Sequence, residues 1–248
     1  MNQPQAPMNA TKKHVWPASF SVEWTFQFVR DDDDAPDASG AYTPTTPFNV
    51  TTWRTVYDAR RGGPDRQMTE IYDNYCIPVF GDPSSPMGSR NDFACQFLNV
   101  NQAAYVLSWK SGDPSRKTPP PPGIPACCII GEPFHPPPRN FSHRMPVNWN
   151  ARVEGGLSVD WSAVYDKDAG IFAYGFEDES SVPHAFYMKG VPWLASWMYQ
   201  RFAHFQAGVE PPASFWDLLQ SCAGATACPG VVAVNDDSRA CMHVCMRT

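Results

Sequence analysis

The sequence has no long hydrophobic run, few charged residues and no excess of positive charge, and each deficit excludes a class of protein. No stretch of about 18 apolar residues occurs, so the sequence predicts no transmembrane helix. Only 18% of the 248 residues are charged while 43% are hydrophobic, which excludes a largely disordered chain. The formal net charge is −6, so the chain lacks the basic surface that binds nucleic-acid phosphates.

The sequence also lacks the short motifs that identify common enzymes. It contains no G-x-S-x-G, H-E-x-x-H, G-x-x-x-x-G-K or G-x-G-x-x-G motif. Cys128 and His135 could form a nucleophile pair, but three prolines between His135 and His143 favour an exposed loop, and a disulfide at Cys128 would leave no thiolate. We therefore expect no catalytic residues, no enzymatic activity and no organic cofactor.

Proline is abundant, with 26 residues in the chain, about double the ~5% of average proteins. Because proline interrupts helices and central strands, regular structure must lie between the prolines. Alternation of apolar and polar residues predicts strands over 20–28, 157–163 and 171–176. Further strands are predicted near 50–58 and 66–75, on either side of a polar reversal, and over 103–109, after a segment around 93–100. The sequence therefore favours β-structure with long loops.

The best helix candidate covers residues 191–206. Trp193, Trp197 and the pair Phe202 and Phe205 fall roughly on one helical stripe. The same aromatic density also suits a strand.

Eight cysteines and three glycosylation sequons favour an oxidising compartment. The sequons begin at Asn9, Asn49 and Asn140, and a cysteine-rich tail follows Cys222. Cys228, Cys241, His243 and Cys245 could instead bind zinc, but their spacing differs from the close pairs of zinc modules. Residues 1–17 contain no apolar segment of the kind that signal peptides have. Two explanations fit: the protein is secretory and its signal peptide is absent from this numbering, or the protein is cytosolic and its cysteines are reduced. Because of the cysteines and sequons, we favour the first.

Four consecutive aspartates follow the first predicted strand. These are Asp31, Asp32, Asp33 and Asp34. Their carboxylates could bind Ca²⁺ weakly, but the spacing of a wrapped calcium loop is missing, and the sequence favours a solvated hairpin tip.

The order of features in residues 56–222 resembles that of the ependymin-related family. Tyr57-Asp58 before a chain reversal is similar to the family's Tyr-Asp hairpin, and Cys95 takes the place of its first core cysteine. Cys127-Cys128, followed by Gly155-Gly156-Leu157-x-Val159-x-Trp161, is similar to its central block.

The most specific part of the resemblance is a closing phrase that ends at Cys222. It reads Arg201-Phe202-x₅-Gly208-Val209-x-Pro211-x₂-Ser214-Phe215-x₆-Cys222. The chain departs from the family because it has no cysteine before Cys76 and none between Cys128 and Cys222. The family's disulfide from the N-terminal segment to the middle of the chain is therefore missing.

The resemblance implies a mainly β (α+β) fold. A curved antiparallel sheet would form a half-barrel like that of bacterial periplasmic lipoprotein carriers, with one or two helices on its concave face and an apolar pocket between them. Cys222 would bond Cys127 or Cys128, and Cys95 would bond a tail cysteine. The chain would divide into an N-terminal extension (1–17), the half-barrel (18–222) and a cysteine-rich tail (223–248). Calcium, with which ependymins are associated, would be the one possible cofactor.

The predicted function is non-covalent binding of a hydrophobic, lipid-like ligand in the concavity by a secreted, lysosomal or cell-surface glycoprotein. The alternative is a structural or interaction glycoprotein of a surface assembly. Its aromatic side chains would only fill the core, and the chain would form homo-oligomers or contact other subunits. A deep apolar cavity would favour the first function, and a filled core with large apolar surface patches the second. The predicted ligand contacts are Trp24, Phe26, Phe28, Trp53, Trp109, Trp161, Trp193 and Trp197.

Overall fold

The computed structural model of the protein describes residues 13–29, 51–73, 76, 93–108, 120, 122–152, 156–166, 170–178, 180–189, 197–218 and 220–229, with the backbone alone at some strand and turn ends. Most of these residues lie in eleven strands. The strands are β1 (Ser19–Val29), β2 (Thr51–Asp58), β3 (Gln67–Tyr72), β4 (Cys95–Val100), β5 (Ala103–Ser108), β6 (Cys127–Gly131), β7 (Val147–Arg152), β8 (Ser158–Asp166), β9 (Gly170–Glu177), β10 (Pro183–Lys189) and β11 (Trp197–Ala207).

All eleven strands belong to one antiparallel sheet in the order β6-β5-β4-β3-β2-β1-β11-β10-β9-β8-β7. The sheet is not closed, because β6 and β7 form its two edges. One hydrophobic cluster joins Cys128 in β6 to Val164 in β8, near the opposite edge, so the sheet curves around that cluster. The predicted mainly β class and the curved antiparallel sheet are confirmed.

The predicted strand segments correspond to β1–β5, β8 and β9, whereas β6, β7 and β10 are not predicted from the sequence. β7 is an edge strand in which Ala151 alone is buried, so its apolar alternation is weak. β10 begins at Pro183, a residue usually taken to exclude a strand interior.

The helix predicted over 191–206 is wrong, because residues 197–207 form β11. A β-bulge in β11 lies opposite the segment between Ser21 and Glu23, and His204 there has a φ of 50°. The extra residue brings both Phe202 and Phe205 against the same cluster although they are three positions apart. Their spacing imitates a helix for this reason.

Two irregular segments cover the concave face. One is the strap, residues 13–17, and the other is the cross-connection, residues 132–146, which runs from edge strand β6 to edge strand β7. Trp16 N donates to Arg139 O at 2.8 Å, and Tyr57 Oη donates to Pro137 O at 2.9 Å. The helices predicted on this face are not found among the described residues, whose helical segments are four short 3₁₀ turns.

The outer face carries a second cluster, which is covered by residues 213–222. Trp216 and Cys222 pack there against Val56, Leu98 and Leu107. The chain then reaches the edge of β6, where Ile129 N donates to Thr226 O at 2.8 Å and Cys228 N donates to Ile129 O at 2.9 Å. This pairing covers an edge strand that would otherwise be open to another chain.

Three disulfides join six of the eight cysteines. They are Cys76–Cys95, Cys127–Cys222 and Cys128–Cys228. The first corrects the expected bond from Cys95 to a tail cysteine, since Cys95 bonds a partner only 19 residues away. The second is one of the two bonds that the resemblance implies for Cys222. Cys241 and Cys245 lie outside the described residues.

Candidate functional site

A cavity of about 50 Å³ remains on the concave face, between the sheet, the strap and the cross-connection. This volume holds a few water molecules, whereas sites for drug-sized ligands occupy about 300–1,000 Å³. Four aromatic rings, four aliphatic side chains and three polar side chains line it. They are Trp16, Phe20, Tyr174 and Phe202, then Val22, Met68, Pro137 and Pro183, and finally Thr55, Glu70 and Gln200.

Antiparallel register brings the cavity-lining side chains of β1, β2 and β3 together. Val22 lies opposite Thr55, and Thr55 lies opposite Glu70, so all three share the concave face. Phe97 in β4 is the next neighbour of Glu70 in this row. Glu70 is therefore a carboxyl on an otherwise mainly apolar face.

Glu70 takes part in a short chain of hydrogen bonds. Tyr72 Oη donates to Glu70 Oε2, and Thr55 Oγ1 lies 3.4 Å from Glu70 Oε1. Trp24 Nε1 in turn donates to Thr55 Oγ1 at 2.8 Å. Burial raises the pKa of Glu70, against the smaller effects of the hydrogen bonds from Tyr72 and Thr55, which lower it. The carboxyl consequently keeps its proton to a higher pH than an exposed glutamate.

Trp16 covers the cavity from the strap side. Its ring lies 5.1 Å from the ring of Phe20, 4.5 Å from that of Phe141 and 6.0 Å from that of Tyr174. The indole Nε1 is buried and has no hydrogen-bond partner within the described part of the chain. A cavity water or a ligand atom would be its natural acceptor.

His14 fastens the strap to the far side of the sheet. Its Nε2 lies 3.0 Å from Asp160 Oδ2, and its Nδ1 lies 3.0 Å from Ser181 Oγ. The ring also stacks on Phe176 at 4.8 Å. Asn150 Nδ2 donates to Asp160 Oδ1 at 2.8 Å, so both carboxyl oxygens of Asp160 are bonded.

A hydrolase triad contains the same residue types as the group Ser181, His14 and Asp160. The arrangement of these three side chains nevertheless fits a structural role. Asp160 as acceptor places the hydrogen of a neutral imidazole on Nε2, which leaves Nδ1 to accept from Ser181. The imidazole is 1% exposed and lies under the strap that carries it. We interpret the three residues as the latch of the strap.

Two of the predicted ligand contacts have described side chains, and neither lines the cavity. Trp24 is fully buried in the concave core. Trp161 is also fully buried but belongs to a separate cluster on the outer face, where it stacks on Trp149 at 5.9 Å. The other six have no described side chain: Phe26, Phe28, Trp53 and Trp197 are placed in strands by their backbone, and Trp109 and Trp193 lie outside the described residues.

The remaining predicted sites divide between the described and undescribed parts of the chain. Asn140 is exposed at the start of a 3₁₀ turn. The other two sequons, at Asn9 and Asn49, and the four aspartates at 31–34 lie outside the described residues. No cluster of three potential metal ligands occurs among the residues that the structure describes.

The disulfides correct two of the alternatives considered from the sequence. Cys128 is bonded to Cys228, so the Cys128 thiolate of a nucleophile pair with His135 does not exist, and Cys228 is not free to bind zinc. Within the described ranges, no helix is long and apolar enough to cross a membrane.

Sequence reasoning missed Glu70 and His14. A signal for Glu70 is present, because Met68 and Tyr72 lie two positions before and two positions after it in a predicted strand, and residues at a spacing of two share one face. No local signal identifies His14, whose partner Asp160 is 146 residues away.

Comparisons with known proteins give only low similarity. No protein-family model and no curated protein matches the chain. Among solved structures, MucB matches over 86% of this chain and 60% of its own, with 10% identity and a TM-score of 0.37. The MucA/MucB complex of Pseudomonas aeruginosa matches over 82% and 56%, with 11% identity and a TM-score of 0.37.

A LolA-superfamily protein from Nitrosomonas europaea matches over 83% of this chain and 93% of its own, with 7% identity and a TM-score of 0.33. The chain thus spans less than two thirds of the MucB chains that it matches. Similarity at this level identifies neither a family nor a ligand, and the ependymin resemblance stays a prediction from the order of sequence features.

Proposed function

We propose that this protein binds a hydrophobic ligand, non-covalently and without catalysis, on the concave face of its sheet. The observation that carries the proposal is the aromatic-lined cavity between Phe20, Phe202 and the covering Trp16. Three disulfides support an oxidising, extracellular or lumenal compartment for this binding. The exposed Asn140 supports a glycoprotein.

Binding of a lipid-like ligand requires the cover to move, because the present cavity is too small for one. The cover consists of irregular segments that contact the sheet through hydrogen bonds and through buried side chains such as Trp16, Phe141 and Met145. A ligand that buries about 300 Å² of apolar surface gains about 7 kcal/mol at ~25 cal/mol per Å². That gain offsets the loss of a few hydrogen bonds, each with a net value of about 1 kcal/mol, and the ligand replaces part of the apolar contact that the cover gives up.

Uptake of Nile red, an uncharged lipophilic dye, tests this function with two matched variants. Val22 lines the cavity from β1, whereas Val56 in neighbouring β2 belongs to the outer-face cluster. We expect V22F to fill the cavity and weaken Nile red binding about tenfold, a loss of ~1.4 kcal/mol, while V56F binds as the wild type does. Melting temperatures of both variants control for loss of the fold. Absence of uptake by the wild type, or equal weakening in both folded variants, would overturn the proposal.

The second candidate function is a structural or interaction glycoprotein, and the tightly filled concave core favours it. Trp24, Tyr57 and Phe141 are almost completely buried there, as expected if the aromatics serve packing alone. Within the described ranges, the exposed large apolar residues are Val15 and Val147. Two such residues do not form the broad apolar surface patch that an assembly contact needs. The described surface therefore favours ligand binding.

A further inference from the structure

We propose that Glu70 selects the head group of the ligand, and that the preferred ligands are amphiphiles with a protonated primary amine. The inference rests on the proposed function and adds the chemical class of the ligand. It places the apolar chain among the aromatic side chains of the cavity and the ammonium group against the Glu70 carboxylate.

The charge of the cavity wall carries the argument. Glu70 is its one ionisable carboxyl, and the described residues that line the cavity include no Lys, Arg or His. No described basic side chain forms an ion pair with Glu70. An ammonium group would therefore meet an uncompensated acidic group, whereas a ligand carboxylate at the same place would be repelled.

The hydrogen-bonding capacity around Glu70 also suits an ammonium group. A carboxylate offers about four lone-pair sites, and Tyr72 and Thr55 account for one contact on each oxygen. Thr55 and Gln200, which also line the cavity, carry further acceptor oxygens. An ammonium group with three N–H donors can use these acceptors, but a hydroxyl group has one donor only.

Burial makes this recognition specific. A carboxyl in a mainly apolar wall is poorly solvated, so its pKa is raised, and the hydrogen bonds from Tyr72 and Thr55 stabilise its ionised form only in part. An ammonium ligand supplies a positively charged partner, and the ion pair then forms at the partly buried Glu70 side chain. Charge-assisted hydrogen bonds are about twice as strong as neutral ones.

Competition against Nile red tests the inference with three twelve-carbon ligands that differ only in the head group. These are dodecylamine, dodecanol and dodecanoate, each used at neutral pH below the concentration at which micelles form. We expect the wild type to bind dodecylamine about tenfold more tightly than dodecanol, and dodecanoate most weakly. We expect E70Q to lose the preference for the amine, so that it binds dodecylamine and dodecanol with similar affinity.

Glu23→Gln is the matched control, because Glu23 lies on the outer face of β1 and pairs with Arg54 and His204. E23Q should keep the amine preference. Equal or tighter binding of dodecanoate by the wild type, or an amine preference that survives in E70Q, would overturn the inference while leaving the proposed function intact. If E70Q does not fold, the comparison of the three ligands on the wild type decides. Failure of the wild type to bind Nile red and all three ligands would overturn both.

Discussion

Cys127 and Cys128 are neighbours in β6, yet their sulfur atoms lie on opposite faces of the sheet. Cys127 bonds Cys222 within the outer cluster, and Cys128 bonds Cys228 within the concave cluster. The pleat of a strand causes this, because consecutive side chains point to opposite sides. The pair therefore anchors a chain segment that passes from one face around the edge of the sheet to the other.

Peptide mapping under non-reducing conditions should find the bonds Cys76–Cys95, Cys127–Cys222 and Cys128–Cys228. Removing the second bond with the double variant C127S/C222S should destabilise the protein by about 2–5 kcal/mol, because the bond closes a loop of 95 residues. Thermal or denaturant unfolding measures the loss. A peptide that links Cys95 to the C-terminal tail would contradict the observed pairing.

Gly175 should not tolerate a side chain. A Cβ at this position would lie 2.9 Å from Val159 Cγ1 and 3.1 Å from ring atoms of Trp161. We expect G175A to lower the free energy of unfolding by about 1–3 kcal/mol through overpacking. G131A is the control, because its Cβ would meet Phe134 at an ordinary 3.4 Å, and equal losses in the two variants would contradict the explanation.

The sequence predicts strands best where one face is buried and the other is not. β1 is found because Phe20, Val22 and Trp24 alternate with polar residues. β11 is misassigned because the bulge at His204 changes the period, and the sequence contains no direct sign of a bulge. Local patterns locate strands but do not reveal an interruption that only the neighbouring strand explains.

The sequence indicates the concave face on which the cavity lies but not most of the side chains that line the cavity. The aromatic face of β1 indicates the concavity, and Phe20 and Val22 do line the cavity there. The strap, with His14 and Trp16, enters the site from a segment assigned to an N-terminal extension. Its contacts join residues more than 120 positions apart, which neither periodicity nor motif spacing encodes.

Replacing His14 should destabilise the strap, because the replacement removes the imidazole of the latch. H14A would leave the buried Asp160 without its imidazole partner, at a cost of about 2–3 kcal/mol. We also expect faster trypsin cleavage after Lys13, since the strap would detach more often. V15A is the control, because Val15 is 42% exposed and its loss should change stability by less than ~0.5 kcal/mol. Equal cleavage rates in H14A and V15A would argue against the latch.

The raised pKa of Glu70 should make the contribution of this residue to protein stability decrease as the pH rises. Burial raises the pKa of Glu70 above 4.5, so the folded state binds this proton more tightly than the unfolded state does. The contribution of Glu70 to the free energy of unfolding should therefore fall as the pH increases from 4.5 through the folded-state pKa. Tyr72, the titratable side chain that the carboxyl contacts, has its own pKa raised by burial and stays neutral in this range.

E70Q should show a smaller decrease in the free energy of unfolding over the same pH range, which urea unfolding at several pH values measures. E23Q is the opposite case, because hydrogen bonds from His204 and Arg54 lower the pKa of Glu23. The stability that Glu23 provides is present above 4.5 and is lost as the pH falls through its folded-state pKa. An unchanged pH profile in E70Q would show that Glu70 is not desolvated in the folded protein.

Photoaffinity labelling tests most directly whether the concave face binds a hydrophobic ligand. The probe is an uncharged twelve-carbon alcohol that carries a diazirine, followed by peptide sequencing of the labelled protein. We expect saturable labelling of peptides that contain Phe20, Met68 or Phe202, which line the cavity, and its suppression by excess dodecanol. Labelling that excess dodecanol does not suppress, or that is confined to outer-face residues such as Leu98 and Trp216, would contradict the account.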